Sequence, residues 1–256
     1  MKDLSLRNKL KKNKLTLGSW ITLSHSSIAE IMSKLDFDWL TLDMEHSAIT
    51  LSDAQKLIQT IELSGVTPLV RVGENNPNLI KRVMDAGAHG VIVPMINNRD
   101  DAILAVSAVK YPPFGARGVG LARAQGYGFG FEEYKEWVKK ESIVIVQIEH
   151  KSAIDNLEEI LNVEGVDASI VGPYDLSASF GYPGEYERKE VKSAIRKYLT
   201  VCDELGKPAG FHVVPPDIEK VKERIKQGFN FIGFSLDTFF LGQKIREEFR
   251  KGKIKR

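Results

Sequence analysis

One cysteine, Cys202, is all that the 256 residues contain, so no disulfide forms within the chain. It falls in a helical pattern with Val201 and Leu205 and reads as a small core residue rather than a nucleophile. Long apolar runs are missing too. No stretch approaches the ~20 apolar residues that cross a bilayer. Residues 1–14 hold no apolar run of signal-peptide length, so the expected compartment is the cytoplasm. Net charge is slight, at +2, and a field that weak argues against a nucleic-acid partner. Basic residues do gather at the two ends, Lys9, Lys11, Lys12 and Lys14 early and Lys251, Lys253, Lys255 and Arg256 late. They read as solvated tails. No G-x-G-x-x-G opens a helix after the first strand, and no P-loop is present.

What is present is an ordinary globular composition, 43% hydrophobic and 27% charged, with a regular alternation. Short apolar runs at 17–23, 39–43, 67–72, 90–94, 143–149, 167–171, 208–213 and 231–235 read as strands. Amphipathic stretches between them read as helices. One is expected to start at Ser52, with Gln55 completing a capping box, and to end before Gly65. Asn76-Pro77 opens the next as cap and first residue, and Gly87 stops it. A loop rich in Gly and Pro spans 110–130, a length that is usually functional or disordered. Eight strands alternating with helices point to a single-domain α/β protein, a (β/α)8 TIM barrel. The rival, an open doubly wound sheet, lacks its nucleotide-binding signatures.

In such a barrel the chemistry lies at the carboxyl ends of the strands. The stretch Trp39-Leu40-Thr41-Leu42-Asp43-Met44-Glu45-His46 reads as a buried strand ending in ionisable groups. An acid three residues from a histidine can hold one ring nitrogen and aim the other at a substrate. Other strand ends deliver Arg71, Gln147, Glu149, Asp175, Ser235 and Asp237. Each has a plain alternative: Arg71 a surface ion pair, Glu149 a helix-dipole carboxylate, Asp175 an N-cap. Their shared position favours a site. Glu149 and Asp175, with no cysteine or paired histidines near, make a hard oxygen site suited to Mg²⁺ or Mn²⁺. A 2-oxo acid would offer such an ion two oxygens, and the ion would polarise its carbonyl. Arg71 would add positive charge beside the same oxygen, and His46, steadied by Asp43, would move a proton. Together these parts would stabilise an enolate.

The sequence resembles the metal-dependent class II 2-oxo-acid aldolases, which include 4-hydroxy-2-oxoheptane-1,7-dioate and 2-dehydro-3-deoxyglucarate aldolases. The resemblance runs from Gly18 to Leu241. It is carried by Gly18-Ser19-Trp20, Asp43-Met44-Glu45-His46, Val70-Arg71-Val72 and Gly90-Val91-Ile92-Val93-Pro94-Met95. Further on it rests on Tyr111-Pro112-Pro113-Phe114-Gly115-Ala116-Arg117-Gly118, Gln147-Ile148-Glu149 and Gly172-Pro173-Tyr174-Asp175-Leu176-Ser177.

It implies a pyruvate-type barrel lyase. A divalent cation, Mg²⁺ or Mn²⁺ with Co²⁺ as a third candidate, would be held by Glu149 and Asp175. Arg71 would lie on the pyruvate oxygen and Gln147 beside the metal. His46 would be the acid/base with Asp43 as its partner, and backbone near Gly172 and Pro173, next to Tyr174, would take the carboxylate. It further implies hexamers built as trimers of dimers, the last helix, within 237–256, packing on a neighbour through Phe239, Phe240, Leu241, Ile245 and Phe249. Tyr174 stands where serine is frequent and His150 where threonine is frequent, which bears on the substrate and not on the pyruvate chemistry.

Competing readings are a Schiff-base aldolase using Lys151, a lyase of phosphoenolpyruvate or acyl-CoA substrates, and a non-catalytic 2-oxo-acid-binding barrel. Contacts to the aldehyde are expected from loop 110–130, where Arg117 and Arg123 either meet an acidic aldehyde or anchor the loop, and from neighbouring subunits. His25 either lines the site or is structural, and His89 and His212 have no partner evident from sequence.

Overall fold

A computed structural model of the chain describes residues 5–252, so the expected tail residues Lys253, Lys255 and Arg256 lie outside the described residues. Eight strands close into one parallel barrel in chain order. They are β1 (Thr16–Ile21), β2 (Trp39–Asp43), β3 (Thr67–Arg71), β4 (Gly90–Val93), β5 (Ile143–Ile148), β6 (Ala168–Val171), β7 (Ala209–Val213) and β8 (Phe231–Leu236). Before β1 comes a short helix, α1 (Leu6–Lys11). Helices α2 (Ser26–Ser33), α3 (Leu51–Leu63), α4 (Pro77–Asp85), α5 (Arg99–Val109) and α6 (Phe131–Glu141) follow in turn. Then come α7 (Lys151–Asp155), α8 (Leu157–Leu161), α9 (Pro173–Ser179), α10 (Lys189–Glu204), α11 (Ile218–Lys226) and α12 (Asp237–Gly252).

Residues of β2 and β5 are buried on both faces, which is why their sequence shows no polar alternation. Two cores result. One fills the space between strands and helices. The other fills the barrel with Trp20, Trp39, Leu69, Ile92, Ile143, Ile145, Ile170 and Phe231. Trp39 stacks on Phe231 at 4.4 Å and lies where a Cβ at position 18 would be, so Gly18 is required there.

Part of the expected basic tail is instead a plug. Leu6 and Leu10 of α1 enter the barrel core from below. Arg7 pairs with Asp167 at 2.8 Å and Lys9 with Asp38 at 2.7 Å, so neither is a solvated charge. The capping box of α3 also differs from expectation. Thr50, not Ser52, is the cap, and its partner is Asp53, not Gln55. Thr50 Oγ1 accepts the Asp53 N–H, and Asp53 accepts the Thr50 N–H. This starts the helix at Leu51, whose side chain packs on the core.

Loop 110–130 departs further. It follows α5, so it lies at the amino ends of the strands, opposite the ends where chemistry is expected. Arg117 is buried and bonds Asp85, at the end of α4, and Tyr134. Arg123 bonds Glu62 and the Ala86 carbonyl. Both arginines anchor the loop and do not line the barrel mouth of their own chain. Among the described residues no helix is long and apolar enough to cross a membrane.

Candidate active site

The barrel register builds the site. Asp43 ends β2, Arg71 ends β3, and the two are register partners. Asp43 Oδ1 accepts from Arg71 Nε at 3.0 Å, and Oδ2 accepts from Nη2 at 2.7 Å. Such a two-pronged pair holds one edge of the guanidinium. Nη1 is left without a partner among the described residues. The Trp20 ring covers the guanidinium, 4.5 Å from Cζ to the ring centre.

Asp43 does not hold the His46 ring. Its Oδ1 accepts the backbone N–H groups of Glu45 (3.0 Å) and His46 (3.1 Å), an Asx-type turn that ends the strand. The His46 side chain is 64% exposed at the mouth, with Nε2 3.7 Å from Glu45 Oε2. The neighbour of the imidazole is therefore Glu45. Burial would raise the Asp43 pKa, but Arg71 and the two N–H donors outweigh it and hold the carboxyl below its ordinary value. Glu45 behaves oppositely. Burial, helped by the charges of Glu149, Asp43 and Asp175, pushes it up to about 7 against the pull of Arg71. Its Oε2 lies 3.2 Å from Arg71 Nε but is buried without an aligned hydrogen bond.

Glu149 follows β5 and is buried. Met95 supplies one donor: its backbone takes the left-handed conformation, φ 54°, and its N–H reaches Glu149 Oε1 at 2.7 Å. The Gln147 amide donates to Oε2. Burial raises the Glu149 pKa, Gln147 and Met95 oppose this, and nearby Asp175 adds to it. Asp175 lies in the first turn of α9, just past β6.

Gly172 sits between the two carboxylates. A Cβ there would lie 3.0 Å from Glu149 Oε2 and 3.9 Å from Asp175 Oδ2. Two carboxylates thus converge on space kept open by the missing side chain. Among the described residues no three His, Cys, Asp or Glu side chains cluster as metal ligands. A pair of carboxylates beside an amide, with unbalanced negative charge, still fits a hard divalent cation that keeps open positions.

Other expected residues fall elsewhere. Gly172 donates its N–H to Ile148 O, and Pro173 has none, so the backbone donors left near them belong to Tyr174 and Asp175. His25 and His150 accept backbone N–H groups as caps of α2 and α7. His89 bonds Glu62 at the amino-end face. Asp237 accepts the Thr22 and Leu23 N–H groups and ties β8 to β1. Ser235 Oγ donates to Val214 O. Lys151 is exposed and begins α7, which does not suit a desolvated amine. Sequence reading assigned no role to Trp20 or Glu45, although both sit at strand ends. Inward alternation along β1 is the signal that marks Trp20.

A closed parallel barrel with ionisable groups gathered at the carboxyl ends of its strands is the architecture of a barrel enzyme. The chain belongs to the HpcH/HpaI aldolase/citrate lyase family, whose model matches residues 16–242. It is an aldolase, an enzyme that makes and breaks carbon–carbon bonds. It is 36% identical over 251 residues to a 2-keto-3-deoxy-L-rhamnonate aldolase of Escherichia coli O157:H7, covering 96% of this chain and 93% of that protein. Its fold is similar to the crystal structure of an HpcH/HpaI aldolase/citrate lyase family protein from Burkholderia cenocepacia J2315. There the TM-score is 0.92 at 31% identity, over 97% of this chain and 99% of that one. It is likewise similar to an HpcH/HpaI aldolase from Desulfitobacterium hafniense DCB-2, with TM-score 0.88 at 28% identity over 98% and 97%.

Proposed function

We propose that the chain reversibly cleaves a 4-hydroxy-2-oxo acid into pyruvate and an aldehyde, with a divalent cation, Mg²⁺ or Mn²⁺, as cofactor. The observation that carries this reading is the convergence of Glu149 and Asp175 over Gly172, within the field of Arg71. Deoxy sugar acids of the kind named for the Escherichia coli relative belong to this substrate class.

Glu149 and Asp175 would hold the cation, with Gln147 fixing the Glu149 carboxylate. When bound, the cation supplies positive charge next to the 2-oxo group. Tyr174 and Asp175 N–H groups receive the substrate carboxylate. Arg71, clamped by Asp43, turns Nη1 toward the 2-oxo oxygen. His46, with Glu45 beside it, takes the proton of the C4 hydroxyl. The C3–C4 bond breaks, the aldehyde leaves, and the bonding pair becomes the enolate of pyruvate. Arg71 meets the charge that gathers on the enolate oxygen, and C3 then takes up a proton. Glu45, with a pKa of about 7, holds or yields a proton near neutral pH.

A homohexamer goes with this reading, since Phe239, Leu241, Ile245 and Phe249 of α12 are exposed and suit a neighbouring subunit. So does a cytoplasmic setting, in keeping with a single, free and buried cysteine. The test is pyruvate release from a panel of 4-hydroxy-2-oxo acids, with Mg²⁺, Mn²⁺ or excess chelator. Cation-dependent release is expected. Release undiminished in chelator, with a pyruvyl adduct trapped by borohydride, overturns it in favour of Schiff-base chemistry.

A further inference from the structure

We propose that His212 is a positioning residue that holds Arg71 in place by backing Trp20. The proposal rests on the reading in which Arg71 meets the substrate oxygen. Four strands each contribute one member of the arrangement. Trp20 of β1 covers the Arg71 guanidinium of β3 at 4.5 Å. His212 of β7 stacks on Trp20, ring centres 5.0 Å apart and planes 29° off parallel. His212 Nε2 lies 3.0 Å from the Ser235 carbonyl of β8. A carbonyl only accepts, so Nε2 carries the hydrogen and the tautomer is fixed.

The backbone of β8 is shaped around this stack. Ser235 has φ 53°, a left-handed conformation uncommon for a residue other than glycine. Its carbonyl also accepts from Ser19 Oγ at 3.2 Å, and its own Oγ donates to Val214 O at 2.8 Å. At Gly233 a Cβ would lie 2.7 Å from Trp20 Nε1 and 3.3 Å from His212 Cδ2. Only glycine leaves room for both rings. Strained backbone and a required glycine around one ring pair indicate a geometry under tight constraint.

The need for such a support follows from how Arg71 is held. Asp43 grips one edge of the guanidinium through Nε and Nη2. That grip leaves the free Nη1 corner able to rock out of plane, and an aromatic face against the guanidinium opposes the rocking. Trp20 opposes it only while its own ring is fixed, which is what His212 does from β7. A neutral His212 adds no second cation beside Arg71. Burial, with the Arg71 charge pushing the same way, lowers its ring pKa to about 4 against the Ser235 hydrogen bond.

The test uses the cation-loaded enzyme. His212→Leu keeps bulk and removes ring and hydrogen bond, while His212→Phe keeps the ring. Both are made in the wild type and in Arg71→Lys, with melting temperature and tryptophan emission recorded. His212→Leu should lower kcat by about tenfold with KM within about twofold, the scale of a misplaced catalytic group. His212→Phe should recover most of that loss. In Arg71→Lys, which is itself strongly impaired, adding His212→Leu should change kcat by less than about twofold, because no guanidinium remains to be placed. An emission shift in His212→Leu should vanish in a Trp20→Phe background. An unchanged kcat in folded His212→Leu overturns the proposal, as does the same fold loss in Arg71→Lys. Should His212→Leu not fold, His212→Phe decides: kcat within about threefold of wild type supports the ring's role, and a tenfold loss overturns it. Full activity in Arg71→Lys alone defeats the reading of Arg71, whatever the His212 variants do.

Discussion

Replacing Asp43 by asparagine is the sharpest probe of the site's frame. Asp43 is 4% exposed and its carboxylate accepts four hydrogen bonds, two from Arg71 and two from backbone N–H groups. In Asp43→Asn the amide oxygen keeps one side of this set. The amide nitrogen faces Arg71 Nη2, donor against donor, and the guanidinium is left in the barrel with a weakened counter-charge. Breaking a buried pair from one side costs roughly 3–5 kcal/mol. Glu45 Oε2, 3.2 Å from Arg71 Nε, takes up part of the lost role, which favours the lower end. About 3 kcal/mol corresponds to a fall in melting temperature of roughly 6–12 °C for a chain of this size. Calorimetry of Asp43→Asn, Arg71→Met and the double variant checks it. The double variant should recover at least half of the loss, since the stranded charge is gone. A loss under about 1 kcal/mol in the single variant, or strict additivity in the double, refutes the reasoning.

Three further outcomes follow. Gly172→Ala puts a methyl between the two carboxylates at a φ of −98° that alanine accepts, so Mn²⁺ affinity by calorimetry should fall at least about tenfold while the melting temperature moves by only a few degrees; unchanged Mn²⁺ binding counts against the shared site. Glu45 has a folded pKa of about 7, above its unfolded value, so the stabilisation from its protonated form is present below about pH 4.5 and is lost as pH rises through about 7. Its size is at most about 3.5 kcal/mol; urea titrations in chelator should show Glu45→Gln flattening the wild-type decline, and a wild type that gains stability over that window contradicts the assignment. Leu10→Ala, at a fully buried plug residue far from the mouth, should cost about 2–5 kcal/mol with KM unchanged; a loss near zero would mean that α1 is not part of the core.

The barrel was legible because each strand is a short branched run and each connection a helix with its own caps. The positions of Glu149, Asp175 and Arg71 followed from the rule that strand carboxyl ends face one way. Partner choice was less legible. Asp43 and His46 are three residues apart, and spacing alone suggested a ring contact. The turn gives Asp43 the His46 backbone N–H instead, while β-register brings Arg71, 28 positions away, onto its carboxylate. Register is set by the whole sheet and is not written in any one strand. The place of loop 110–130 in its own barrel was legible as well: a segment that follows a helix returns to the amino ends of the strands. The basic start misled because Lys9 looks solvated until Asp38 is brought beside it beneath the barrel. His212 became readable only when alternation along β7 was combined with the position of Trp20 on β1.

The central claim is that Arg71 and a cation held by Glu149 and Asp175 stabilise charge on one substrate oxygen. Exchange of the pyruvate methyl protons for deuterium, followed by NMR with no aldehyde present, reads that stabilisation without any assumption about the second substrate. The account predicts rapid exchange with Mg²⁺ or Mn²⁺, and loss of exchange in excess chelator, in Glu149→Gln and in Arg71→Lys. Exchange that persists in chelator, or that survives loss of both Glu149 and Arg71, would contradict it.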